Sequence, residues 1–122
     1  MKSILIGFFC FLSVVSFGQG PAQFSTVKHS FGKIKQNVPA SYVFTFKNTT
    51  SKPIVIEVAT AECGCTTPEY PKAPIAKGQE GKIKVTYNAV NPGTFTKKVH
   101  VKFAGEDQPV TLEIDGEVVT AK

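Results

Sequence analysis

Apolar residues recur at every second position through most of this sequence, and that alternation constrains the fold more than any other feature. It holds over short runs, with no helical spacing competing with it. Alternation of this kind is typical of strands with one buried and one solvated face. The predicted core-facing sets are Val27, His29 and Phe31; Tyr42, Phe44 and Phe46; Ile54, Ile56 and Val58; Ile83, Val85 and Tyr87; Val99, Val101 and Phe103; and Val110, Leu112 and Ile114. The chain is therefore predicted to be all-β.

Clusters of Gly, Pro, Asn and Ser separate these runs at 48–53, 76–81, 91–93 and 105–109. Strands at this spacing predict a sandwich or a barrel. One solvated face per strand favours two packed antiparallel sheets, although periodicity alone does not exclude a small barrel. Residues 62–76 form the longest irregular stretch, and functional residues concentrate on such loops.

The first 18 residues are predicted to be a secretory signal peptide. Lys2 precedes an apolar run of about a dozen residues, shorter than the ~20 that a membrane-spanning helix needs. Small residues at Ser16 and Gly18 place the cleavage between Gly18 and Gln19. We expect a single mature domain over 19–122, periplasmic or secreted, with no transmembrane segment. Because Cys10 lies within the apolar run, the chain is not expected to be a lipoprotein.

The basic residues of the chain are all lysines, and the formal net charge is +5. Arginine supplies the planar fork that recognises phosphates and guanines, so its absence argues against a nucleic-acid partner. The acidic residues are scattered, and the sequence contains neither a nucleophile elbow nor a Gly-rich phosphate loop. We therefore predict neither an enzyme nor a bound cofactor.

Removal of a signal peptide would leave Cys63 and Cys65, separated by Gly64, as the remaining cysteines. In a compartment that allows disulfides, the pair has three possible states. The two sulfurs could be bonded, provided that the chain turns at Gly64. They could hold a soft metal such as Cu(I), although zinc would need further ligands and His29 and His100 are the remaining nitrogens. They could also be buried as small apolar side chains.

The irregular stretch also carries a candidate interaction loop. Its residues either form a docking patch or cap the end of the sandwich, and they are Gly64, Thr66, Pro68, Tyr70 and Pro71. His29 lies in phase with Val27 and is predicted to be partly buried, whereas His100 is predicted to be solvated on the lysine-bearing face.

Six segments of the sequence together resemble a known family. They are Phe31–Ile34, Phe44–Thr49, Pro53–Ile56, Cys63–Thr66, Pro74–Gly78 and Gly81–Val85. In this order and spacing they resemble the bacterial domain-of-unknown-function family 1573. The resemblance implies an exported immunoglobulin-like sandwich of about seven strands, similar to major sperm protein and hydin-type domains, with no established activity. His29 stands where the family often has an aromatic residue, and Tyr70 where it typically has tryptophan.

The leading functional interpretation is an exported binding or scaffold module that contacts another envelope protein through its sheet edges and loops. The alternative is a periplasmic thiol-redox or copper-handling protein that uses Cys63 and Cys65. A third interpretation, binding of an anionic polysaccharide, depends on the lysines alone. The sequence specifies neither the partner nor the oligomeric state.

Overall fold

The computed structural model describes residues 22–120, which form two packed β-sheets and no helix. The predicted signal peptide at 1–18, its cleavage site and Cys10 lie outside the described residues. In chain order the strands are β1 (Ala22–Phe24), β2 (Lys28–Lys35), β3 (Ala40–Asn48), β4 (Ile56–Ala61), β5 (Thr66–Glu69), β6 (Glu80–Tyr87), β7 (Gly93–Phe103) and β8 (Val110–Val119). One sheet has the order β1-β3-β6-β5 and the other β2-β8-β7-β4. The predicted sandwich is confirmed, with eight strands in the described residues rather than about seven.

The first two strands divide one N-terminal segment between the two sheets. β1 pairs antiparallel with β3, and β2 pairs parallel with β8. The β2–β8 pair is therefore an exception to the antiparallel arrangement expected from the sequence. Its register shifts between Ser30 and Lys33, where Gly32 has a φ of 69°. That left-handed conformation suits glycine, which has no Cβ.

The core lies between the inner faces of the two sheets, where the alternating residues meet. Five of the six predicted core sets contribute buried side chains. In β6, β7 and β8, every residue of the predicted set is buried. Phe46 packs edge-on against Phe103 across the sheets, with ring centroids 5.6 Å apart. Gly81 is needed beside Phe46, because a Cβ there would lie 2.2 Å from the ring atom Cζ. Val27, His29 and Phe31 are half-buried because they belong to the segment at the edge of the sheet.

The predicted burial of Val58 is wrong. Val58 is 40% exposed, and the β4–β7 register shifts between Ile56 and Val58. The shift reverses the phase of the strand, so that Ala59 and Ala61 pack against the core instead. In a β-bulge of this kind, one strand has an extra residue that is not paired with its neighbour. The amino-acid composition around the bulge does not reveal its position.

Within residues 22–120, no helix is long and apolar enough to cross a membrane.

Candidate functional site

The two cysteines lie at the corner where the chain leaves one sheet for the other. β4 is the edge strand of its sheet and β5 the edge strand of the second, and residues 62–65 join them. Cys63 and Cys65 are bonded as a disulfide, with their Cα atoms 5.3 Å apart. The Thr66 N–H donates to the Cys63 carbonyl at 3.2 Å, which closes the turn. The disulfide thus closes a small ring in which Gly64 is the one residue between the two cysteines.

Each sulfur of the ring has its own hydrogen-bond partner. The Cys65 N–H donates to Cys63 Sγ at 3.1 Å, and Thr66 Oγ1 lies 3.7 Å from Cys65 Sγ. Thr66 is 4% exposed, and Cys65 packs against the hydrophobic core. Gly64 is exposed, and a Cβ there would have no neighbour within 4 Å. The ring is therefore anchored on its Cys65 side and borders open space at Gly64.

The histidines do not join the cysteines in a metal site. His29 stacks on Tyr42 with ring centroids 3.7 Å apart, in agreement with its predicted partial burial. His100 lies on the outer face as predicted but is not merely solvated, because its Nε2 lies 2.9 Å from Glu62 Oε1 and its Nδ1 3.2 Å from Thr111 Oγ1. In the described part of the chain, no three His, Cys, Asp or Glu side chains are placed to hold a metal ion.

The predicted interaction loop is not irregular throughout, because residues 66–69 form β5 and pair with β6. This strand turns Thr66 into the core, so Thr66 is not a surface contact. Pro68 is half-buried on the same side of the strand. Tyr70 and Pro71 lie just beyond the end of β5, where they are half-buried.

An open groove of about 520 Å³ lies where β5 ends and β6 continues. β5 pairs with residues 84–87 of β6, and in the described chain no strand pairs with residues 80–83 on that side. Residues 69–71 and 73–75 line one wall of the groove, and the other residues lining it are Val43, Glu80, Gly81, Lys82 and Lys84. The groove therefore combines apolar side chains, charges of both signs and an uncovered strand edge.

Asn48 fixes the wall of this groove, and sequence analysis missed it. The side chain is fully buried, and its Nδ2 donates to the carbonyls of Lys52 at 2.7 Å and Ile75 at 2.9 Å. Its Oδ1 accepts from the Thr50 N–H at 2.9 Å. Ile75 in turn pairs with Ile54 in an isolated bridge. Asn48 occupied an expected loop, and the one signal that could have identified it is its position in phase with Phe44 and Phe46.

The eight strands of residues 22–120, with the first segment divided between two sheets, form an immunoglobulin-like β-sandwich. The chain belongs to the family described as "Protein of unknown function (DUF1573)", whose model matches residues 22–118. Comparison with the curated proteins found no significant match.

Solved structures with the same fold share little sequence with this chain. A protein of unknown function from Porphyromonas gingivalis W83 has a TM-score of 0.70 at 10% identity over 88% of this chain, which spans 51% of that protein. PapD-like domain 7 of human CEP192 has a TM-score of 0.69 at 7% identity, covering 100% of this chain and 98% of that domain. The YadV chaperone has a TM-score of 0.58 at 14% identity over 81% of this chain, which spans 52% of YadV. At these identities the comparisons establish the fold.

Proposed function

We propose that this protein is an exported, non-enzymatic binding module of the cell envelope, and that it binds an extended segment of another envelope protein in the groove beside β6. The observation that carries the proposal is the length mismatch between β5 and β6. Residues 80–83 extend past the last residue of β5 and border the groove without a strand partner on that side. An extended segment placed there would continue the line of β5.

The other edges are less suited to adding a strand. β1 has three residues, and β5 has four, including Pro68, which has no N–H to donate. The β2 edge carries lysines and a register shift, and the β4 edge carries a bulge. Short length, charge, proline and bulges are devices that prevent edge-to-edge pairing. The uncovered stretch of β6 contains no proline and no register shift.

The groove supplies what strand addition requires. Alternate residues of a strand direct both backbone hydrogen-bonding groups to the same side, so a partner strand gains main-chain bonds from residues 80–83. Tyr70, Pro71 and Ile75 supply apolar contacts for its side chains. The positive formal net charge of the chain, which persists without Lys2, favours a partner of net negative charge. The occupant that fits is thus an extended, apolar segment of an acidic protein.

The family and one similar structure support the proposal that this protein is not an enzyme. The family is described as one of unknown function, and YadV is a chaperone that shares the sandwich. Export is supported by the pattern of residues 1–18.

The test begins with a photo-crosslinking amino acid at Ala73, an exposed residue in the groove wall, in cells that express the protein. The matched control is the same amino acid at Ala104, which is exposed in the β7–β8 loop and is not among the residues that line the groove. We expect a single envelope protein to crosslink from Ala73 and not from Ala104. Hydrogen exchange on the purified complex should then show protection of the amides of residues 80–83.

Filling the groove gives the second arm of the test. Ala73→Trp should weaken binding of the crosslinked partner by about tenfold or more, whereas Ala104→Trp should leave it unchanged, because shape complementarity in the groove is lost in the first variant alone. Equal losses in both variants, or protection confined to another edge, would refute the proposed site.

A further inference from the structure

The residues around the disulfide at the corner between β4 and β5 play no part in the proposed binding function. Its two sulfurs have different partners, and the ring borders open space at Gly64. These observations bear on its chemistry and do not depend on the groove.

We propose that Cys63–Cys65 is a thiol–disulfide exchange site that oxidises a dithiol, with Cys63 as the sulfur that is attacked and Cys65 as the leaving thiolate. The assignment follows from how the ring is anchored. Both cysteines are half-buried, but Cys65 packs against the hydrophobic core and its sulfur is contacted by the buried Thr66. Cys63 is not part of that packing and adjoins the exposed Glu62 and Gly64.

Thr66 is the positioning residue of this site. Its buried hydroxyl has Cys65 Sγ as its side-chain partner, and no buried side-chain polar atom in residues 22–120 lacks a partner. A disulfide sulfur is a weak acceptor, whereas a thiolate is a charged one, and hydrogen bonds to charged groups are stronger. The hydroxyl therefore stabilises Cys65 more after the bond has broken than before, and so favours its departure.

The exchange proceeds in two displacements. A thiolate of the substrate attacks Cys63 Sγ, which forms a mixed disulfide, breaks the Cys63–Cys65 bond and leaves the electron pair on Cys65 Sγ. The second thiolate of the substrate then attacks the substrate sulfur in the mixed disulfide and expels Cys63 as a thiolate. Two electrons pass to the protein, the substrate becomes a disulfide, and the two substrate protons end on Cys63 and Cys65.

The substrate must carry two thiols. Cys65 is separated from Cys63 by one residue, so in the mixed disulfide it is held close to the bond it can attack. With a monothiol, this return attack releases the substrate unchanged. A second thiol on the same substrate molecule competes with the return attack, and the reaction then goes to completion.

The experiment locates the attacked sulfur directly in the purified protein. It is mixed with N-acetylcysteine, stopped with N-ethylmaleimide and mapped by tandem mass spectrometry. In the small fraction of protein that is trapped open, we expect N-acetylcysteine on Cys63 and maleimide on Cys65. Adducts on Cys65, adducts divided equally between the two, or no reaction at all would overturn the proposal. At equal thiol concentration, dithiothreitol should open the ring completely and N-acetylcysteine should leave it largely closed.

The role of Thr66 is tested with Thr66→Val, which keeps the shape and removes the hydroxyl. Reduction by dithiothreitol should slow by about tenfold. The matched control is Thr67→Val at the neighbouring exposed position, which should react as the unaltered protein does. If the two variants react equally fast, Thr66 has no part in the exchange. The adduct mapping uses the unaltered protein, so it holds even if Thr66→Val folds poorly.

Discussion

At the scale of single residues, buried polar groups determine the geometry around the groove. Asn48 ties together the 49–53 loop and the Ile75 wall, and its backbone also bonds to Gly78 and Gln79. A buried amide with several partners is costly to lose, because each of those partners loses one of its hydrogen bonds. Asn48 thus links the stability of the domain to the shape of the groove.

We predict that Asn48→Ala lowers the free energy of unfolding by about 3 kcal/mol, since the Lys52 and Ile75 carbonyls and Thr50 each lose their hydrogen bond to the Asn48 side chain. Chemical denaturation measures the change. Asn91→Ala, at an exposed position in the β6–β7 turn, is the control and should change stability by less than about 0.5 kcal/mol. A loss for Asn48→Ala as small as that of the control would show that the network contributes little.

At the scale of the strands, the alternation predicted which residues face the core in β3, β6, β7 and β8, because each of these strands keeps one register against its neighbour along the sets in question. It failed at β4, where the bulge reverses the phase. β1 was missed because three residues are too few to show a period, and β5 because its proline and two threonines resemble a loop. Register shifts and short edge strands depend on neighbouring strands, which a local pattern does not contain.

Because of the bulge, the same substitution should have different effects on stability at two valines, one exposed and one buried. Val58→Thr should change the free energy of unfolding by less than about 0.5 kcal/mol because the side chain is on the surface. Val85→Thr, at a position 0% exposed, should cost about 1–3 kcal/mol because it buries a hydroxyl. Thermal or denaturant unfolding of both variants checks the difference. Comparable losses would place Val58 in the core and remove the bulge as the explanation.

At the scale of the whole molecule, the sandwich and its family could be recognised from sequence, and the groove could not. The groove exists because β5 is shorter than β6 and because residues 70–75 turn away to pair at Ile54. Both facts require the full set of strand pairings. The disulfide was one of three states that the sequence left open, because the spacing of two cysteines does not determine how the chain bends between them.

Export remains a prediction for the molecule as a whole. Intact-protein mass spectrometry of the protein recovered from the cell envelope should give a chain that begins at Gln19, since cleavage is expected between Gly18 and Gln19. Substitution of Gly18 by a bulky residue, Gly18→Leu, should slow the processing because the cleavage site requires small side chains. Recovery of the unprocessed chain from the cytoplasm would contradict the prediction.

The parallel pairing of β2 with β8 has a mechanical consequence. Because the two strands run in the same direction, a force that pulls Ala22 and Thr120 apart loads their backbone hydrogen bonds in shear, all at once. Gly93 pairs near the end of β8, opposite Val118, so pulling between Gly93 and Thr120 opens the β7–β8 bonds one after another. Single-molecule force spectroscopy should therefore record a higher unfolding force for the first pair of attachment points. Such resistance would let the domain carry tension applied at Ala22 and Thr120 while its groove and its disulfide stay intact.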